Sequence, residues 1–279
     1  MFRTSLVLLL FGALLTSVSV KNPGWKNFSP VLSAVLLGFS LITSTALKIR
    51  APEKTWFGGR AVAESVKSLT WKFMAGGAPF GVDLSRSDAV TKFGGELQAI
   101  LKERRSLAAK FSDPADALQI TEEMKANRNK SAQERLTLYL EERVKDQRKW
   151  YASKASIARS SNDNWFWVTT AGQFAALAGA VWVVYAPDSP IRFTGFFSAV
   201  ASAAMAWLQM KRYQDVSQSY AMAAHELGLI ELQAQNVRDQ IAGAVAPIDA
   251  EAHLASFVAN AENAMSREHT MWVARRDVG

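Results

Sequence analysis

Asn164 to Pro187 is a run of 24 residues without a formal charge, and Phe193 to Met210 is a second run of 18. As helices rising roughly 1.5 Å per residue, each can reach across a hydrocarbon layer about 30 Å thick. Only Asp188 to Arg192 lies between them, with Pro187 and Pro190 at the turn. That connection is too short for anything but a tight reversal. The pair therefore reads as a transmembrane helical hairpin whose two outer ends face the same side of a membrane.

Two further uncharged runs lie near the N-terminus. Thr4 to Val20 covers 17 residues behind Arg3, and Asn27 to Leu47 covers 21. The first has the basic start and apolar middle of a secretory signal peptide. It lacks a clear A-x-A cleavage site, for which Thr16 to Val20 is a weak substitute, so it is read as an uncleaved first span. Lys21 to Ser29, with Pro23-Gly24, makes the turn. Trp25 and Phe28 stand where an interfacial aromatic belt belongs. Lys48, Arg50 and Lys54 follow the second run. Arg148, Lys149, Lys154 and Arg159 precede the third, and Lys211 and Arg212 follow the fourth. The opposite loops carry only Lys21, Lys26 and Arg192. The positive-inside rule then predicts four spans with both termini in the cytoplasm.

The fold class is an all-α integral membrane protein in four parts: an N-terminal hairpin (1–50), a cytosolic helical insert (51–163), a C-terminal hairpin (164–212) and a cytosolic helical tail (213–279). The net charge of +7 hides a division. Residues 48–163 hold 22 Lys/Arg and 15 Asp/Glu, whereas residues 213–279 hold 4 and 9. A basic insert and an acidic tail can pack on one another in one layer.

Helical spacing places Arg60, Glu64, Lys67 and Trp71 on one face. Arg60 is expected to pair with Glu64, and Trp71 to bury against Trp150 or Tyr151. Gly76 to Pro79 ends that helix. Ser87 caps another helix running to about Lys110, and Gly94-Gly95 reads as a break. Asp113-Pro114 starts a short helix, and Ser131 with Glu134 forms a capping box. From it a helix runs to about Ser160, with Leu136, Tyr139, Leu140, Val144, Trp150 and Tyr151 as its apolar stripe. It either continues into the third span or breaks at Ser160 to Asn164. The tail is read as a continuation of the fourth span, broken at Gly243 to Pro247, with Asp249 capping a last helix that carries Trp272.

No catalytic constellation is visible. The absence of cysteine excludes disulfides and thiolate metal sites. His225, His253 and His269 lack the H-E-x-x-H spacing of a zinc site. The chain is thus read as neither an enzyme nor a cofactor protein. No span carries a charge, so the usual groups of a proton relay are missing. Small residues at four-residue spacing, such as Gly172/Ala176/Ala180 and Ser198/Ser202/Ala206, permit close helix contact. Thr169 and Gln173 add a polar face one turn long. A pore lined by Thr169, Gln173, Ser198 and Ser202, with Phe166 or Phe174 as constrictions, would need a homo-oligomer, read as a tetramer. The competing reading is that Gln173 only bonds a neighbouring helix. In the insert, Lys102/Arg104/Arg105 and Arg128/Lys130 are the basic clusters that a nucleotide or oligonucleotide would meet. A solvated or lipid-facing basic surface is the simpler explanation of them.

Arg60, Ala63-Glu64, Lys67-Ser68, Trp71 and Ala78-Pro79-Phe80 resemble the R-x-x-A-E-x-x-K-S-x-x-W…P-F block of SLATT-type bacterial membrane effector domains. Arg143, Gln147, Trp150-Tyr151 and Ala155 are similar to the R-x-x-x-Q-x-x-W-Y-x-x-x-A element before the membrane hairpin of that family. Tyr213, Tyr220 and Glu226-Leu227 resemble the helix after it. The likeness covers about 55–232, and the N-terminal hairpin is an addition that only some members have. It implies a bacterial inner-membrane, pore-forming effector of anti-phage or conflict systems. It also implies a nucleotide signal made by a neighbouring nucleotidyltransferase. The alternative is a non-conducting scaffold that recruits partners through its cytosolic helices.

Overall fold

The computed structural model of the chain describes residues 2–17, 23–50, 52–103, 120–187, 189 and 192–277. These are mostly helical, with no strand among the described residues. They form two compact units. One joins residues 1–52 to 156–217, and the other joins 53–155 to 218–279.

The first unit contains α1 (Phe2–Ser17), α2 (Pro23–Arg50), the later part of α7 (Asp146–Tyr185) and α8 (Phe193–Lys211). Serines hold α1 against α2. The Ser5 and Ser40 hydroxyls are 3.1 Å apart, and Ser33 Oγ donates to the Gly12 carbonyl at 2.9 Å. Such bonds matter where lipid offers no alternative partner. They also fix the direction, because Ser5 meeting Ser40 and Gly12 meeting Ser33 makes the pair antiparallel. Helix α8 is antiparallel to α1 as well. Arg3 lies 5.3 Å above the Trp207 ring, and the Arg192 N–H donates to the Ser17 carbonyl at 3.0 Å. The α7–α8 hairpin closes through small residues. A Cβ on Gly172 would stand 3.2 Å from Ala201, a tight contact, so glycine suits the close approach of the two backbones.

Three helices are long and apolar enough to cross a membrane: α2, α7 and α8. At 16 residues α1 extends about 24 Å, short of the usual hydrocarbon thickness, and it is the shorter apolar helix of the set. Helix α7 runs through Ser160 to Asn164 without interruption, so the continuous alternative holds. The tail does not continue the fourth run directly. Arg212 has φ 47°, a left-handed conformation costly for a residue with a Cβ, and it separates α8 from α9 (Tyr213–Ala242).

The second unit holds α3 (Pro52–Ala75) from Glu53 onward, α4 (Arg86–Glu103), α5 (Glu122–Arg128) and α6 (Ala132–Tyr139). After α6 comes a wide π-type turn, Leu140–Lys145, which leads into α7. Most of α9 and α10 (Pro247–Asp277) complete it. The Ser131/Glu134 capping box is present, and its hydrogen bonds from the Ser131 hydroxyl and N–H hold the Glu134 carboxyl below the usual carboxylate range. Gly76, at φ 73°, ends α3 as glycine permits. Ser85, not Ser87, caps α4, since its Oγ accepts from the Asp88 N–H at 3.1 Å. Gly94-Gly95 does not break α4, because helix propensity is a weak prior that packing of Ala89 and Phe93 overrides. Pro247 takes the first position of α10, leaving Asp249 in the first turn rather than at the cap. Asp113-Pro114 lies outside the described residues.

Two cores fill this unit. Leu69, Phe73, Phe80, Ala89, Phe93 and Met124 pack α3, α4 and α5 together. Leu136, Tyr139, Val144, Leu227, Ile230, Leu254, Phe257 and Val258 join α6 and the wide turn to α9 and α10. The acidic tail does meet the basic insert here, through specific pairs. Arg135 binds Glu251, and Arg148 donates to Glu231 at 2.7 Å.

Candidate functional site

A helix leaves its last carbonyls without intrahelical donors. At the end of α3 two buried arginines supply them. Arg128 donates to the carbonyls of Phe73 at 3.0 Å, Phe80 at 2.6 Å and Gly81 at 2.9 Å. Arg135 donates to Ala75 at 2.8 Å and to Lys130 at 2.9 Å, and its remaining nitrogen holds the Glu251 carboxylate. Burial, and then the charge of Arg135, lower the Arg128 pKa from the usual guanidinium value. Arg128 is therefore not part of an open basic surface, as its place beside Lys130 had suggested.

Eight residues beyond Arg135, Arg143 makes a two-pronged contact with Glu262, Nε to Oε1 and Nη2 to Oε2, both at 2.9 Å. Tyr139 donates its hydroxyl to the same Oε1 at 3.0 Å. Glu262 is wholly buried, so the pair and the phenol satisfy each other inside the core. Glu64 of α3 stands 3.9 Å from Arg143 Nη1, an atom with no hydrogen-bond partner among the described residues. Burial works against the Arg143 charge, but the Glu262 hydrogen bonds and charge outweigh it and leave the pKa raised. Burial drives the Tyr139 pKa well above its ordinary value, and the Glu262 charge adds to that shift.

The aromatic residues pair differently from the expectation. Trp71 meets Tyr139 edge-on at 5.9 Å and is half-buried, rather than packing on Trp150 or Tyr151. Trp150 and Tyr151 instead form a triangle with Tyr220 of α9, at 5.6 and 5.7 Å. Arg60 lies over the Trp150 ring at 5.1 Å, and Lys154 over the same ring at 5.7 Å. Glu64 thus faces Arg143 and Arg60 faces an indole. Lys67 is half-buried on the same helix.

In the first unit the polar residues divide. Thr169 is buried and its hydroxyl donates to the Trp165 carbonyl at 2.9 Å, while Gln173, one turn on, is exposed. The two do not share one open face, because the Thr169 side of α7 is buried. Phe166 and Phe174 are exposed, as are Ser198 and Ser202. Of the basic residues, Lys102 and Lys130 are exposed, and Arg104 and Arg105 lie outside the described residues. Among the described residues no three His, Asp or Glu gather as a metal site would need.

Sequence reasoning did not single out Arg135, Glu251 or Glu262. The available signal was a charge inside an apolar stripe. Arg135 and Arg143 flank Leu136, Tyr139 and Leu140, and Glu262 sits between Val258, Ala261 and Met265. A charge on a core face implies an opposite charge on the facing helix.

A family model described as SMODS and SLOG-associating 2TM effector domain 3 matches residues 1–136, and one described as SMODS and SLOG-associating 2TM effector domain 1 matches residues 139–272. No curated protein and no solved structure matches the chain. The first match takes in α1, α2 and the Arg60–Trp71 block, and the second takes in the Arg143–Ala155 element with the α7–α8 hairpin. With its apolar, span-length helices and these two matches over nearly its whole length, the chain is a membrane protein that belongs to the SLATT-type effector domains.

Proposed function

We propose that this protein is an oligomeric ion channel, the effector of a bacterial anti-phage or conflict system, gated through its cytosolic helices. The observation that carries the reading is Gln173. It stands near the middle of the uncharged Asn164 to Pro187 run and is exposed on α7, among exposed Phe166, Trp167, Phe174 and Leu177. An amide without a partner costs roughly 2–7 kcal/mol in an apolar medium, depending on the reference. Such a residue calls for water or another chain. A ring of copies provides both, with Gln173 and the exposed Ser198 and Ser202 as polar steps and Phe166 or Phe174 as constrictions. Gly172 and Ala201 are already used in the contact between α7 and α8 of one chain. Gating draws on the continuity of α7 from Asp146 to Tyr185, with a nucleotide, oligonucleotide or protein as the signal.

Ion flux from the purified full chain in liposomes tests this. Gln173→Leu should change conductance or selectivity at constant oligomer size. Thr169→Val should leave the current unchanged, because that hydroxyl is occupied within its own helix. Wild-type protein that never conducts, with or without nucleotides, would favour a scaffold that recruits partners through its cytosolic helices.

A further inference from the structure

Between α3, the loop after it, α4 and α5 lies a pocket of about 220 Å³, lined by Phe73, Val82, Leu84, Arg86, Val90, Lys125, Arg128 and Asn129. Three of its eight lining residues are cations and none is an acid. Arg128 is nine-tenths buried, with 9% of its surface exposed. Its hydrogen bonds go to three neutral carbonyls, and among the described residues it forms no ion pair. Burying a guanidinium is unfavourable; Glu251 and Asp83 act on Arg128 only from beyond ion-pair distance, and an anion in direct contact would recover more of that loss. Arg86 opens α4, an 18-residue helix whose positive end acts in the same sense, although Asp88 in its first turn offsets part of that field. Lys125 reaches the same space from α5 and is held by Glu122 at 2.6 Å, on the exposed side. Val82, Leu84 and Val90 supply apolar walls around the opening.

We propose that this pocket binds a phosphate group, with Arg86, Lys125 and the buried Arg128 around the anion. The volume lies below the roughly 300–1,000 Å³ of sites that enclose drug-sized ligands, so the pocket suits one phosphoryl or pyrophosphoryl group and not a whole nucleotide. A nucleotide would enter by its terminal phosphates and leave its base outside. This site rests on the reading of a phosphorylated signal given above and supplies its binding residues. It differs from the exposed cluster around Lys102, which contributes no residue to the pocket.

The test is titration of the detergent-solubilised full chain with pyrophosphate, with ATP and with short-chain phosphatidic acid, using short-chain phosphatidylcholine as the lipid control. Binding of pyrophosphate or ATP that weakens as salt rises is the expected result. Arg86→Ala with Lys125→Ala should weaken it at least tenfold, while Lys145→Ala, outside the pocket, should not. Arg128→Ala also removes the cap of α3, so the double variant carries the decision. Phosphatidic acid binding with no binding of the soluble anions would assign the same pocket to a lipid headgroup. No binding of any of the three, or binding indifferent to the double variant, would overturn the proposal. Flux from liposomes is measured separately: binding without current supports the pocket and removes the channel, and current without binding does the reverse.

Discussion

Arg143 and Glu262 show what a single contact can decide. Both are buried, and each satisfies the other. Removing one partner of such a pair leaves a bare charge in the core and costs about 3–5 kcal/mol, whereas removing both for apolar residues of similar volume is often neutral. Glu262→Leu should therefore lower the thermal unfolding temperature of the purified chain sharply, and Arg143→Met added to it should restore most of the loss. A double variant no more stable than the single one would contradict the pairing. Tyr139 adds a pH dependence. Its folded pKa is raised, so the folded state keeps the phenolic proton where the unfolded chain has released it. The contribution is complete below the ordinary tyrosine pKa of about 10 and is lost as pH rises beyond it. Tyr139→Phe should be less stable at neutral pH by about 0.5–1.5 kcal/mol for the lost hydrogen bond. The gap between Tyr139→Phe and wild type should narrow above about pH 10, which parallel unfolding curves would measure.

The elements divide into those legible in the sequence and those not. Capping chemistry is local, so the Ser131/Glu134 box and the end of α3 at Gly76 could be read directly. Three of the four uncharged runs correspond to the span-length helices α2, α7 and α8 for the same reason, and the first to the shorter α1. Contacts between distant segments could not be read this way. Glu262 lies 119 residues from Arg143, and nothing in the spacing of Trp71 says that it meets Tyr139 before Trp150. Thr169 and Gln173 share a helical phase, and only packing shows that one is buried and the other open. The hairpins can be tested in a chain with no cysteine of its own. Ser5→Cys with Ser40→Cys should crosslink on mild oxidation, since the two hydroxyls are 3.1 Å apart. Absence of that crosslink in a folded protein would reject the register of α1 on α2. Gly172→Leu should cost about 1–3 kcal/mol by forcing α7 away from Ala201.

At the scale of the whole molecule, the bias of Lys and Arg predicts that a cysteine at Asp188 is labelled from outside intact cells and one at Lys125 is not. Labelling of both positions, or of neither, would require a different topology. The chain also has two boundaries that disagree. The family models part it between residues 136 and 139, which is inside α6 and next to the wholly buried Leu136 and Tyr139. The compact units part it elsewhere: one takes a segment from either side of that point, and the 53–155 segment of the other runs straight across it. The two stretches that the family models match are therefore not units of folding. Separately expressed fragments 1–137 and 138–279 should each fail to give a folded product. Co-expressed, they should complement one another as a split protein, with the pairs Arg135–Glu251 and Glu64–Arg143 reforming between two polypeptides.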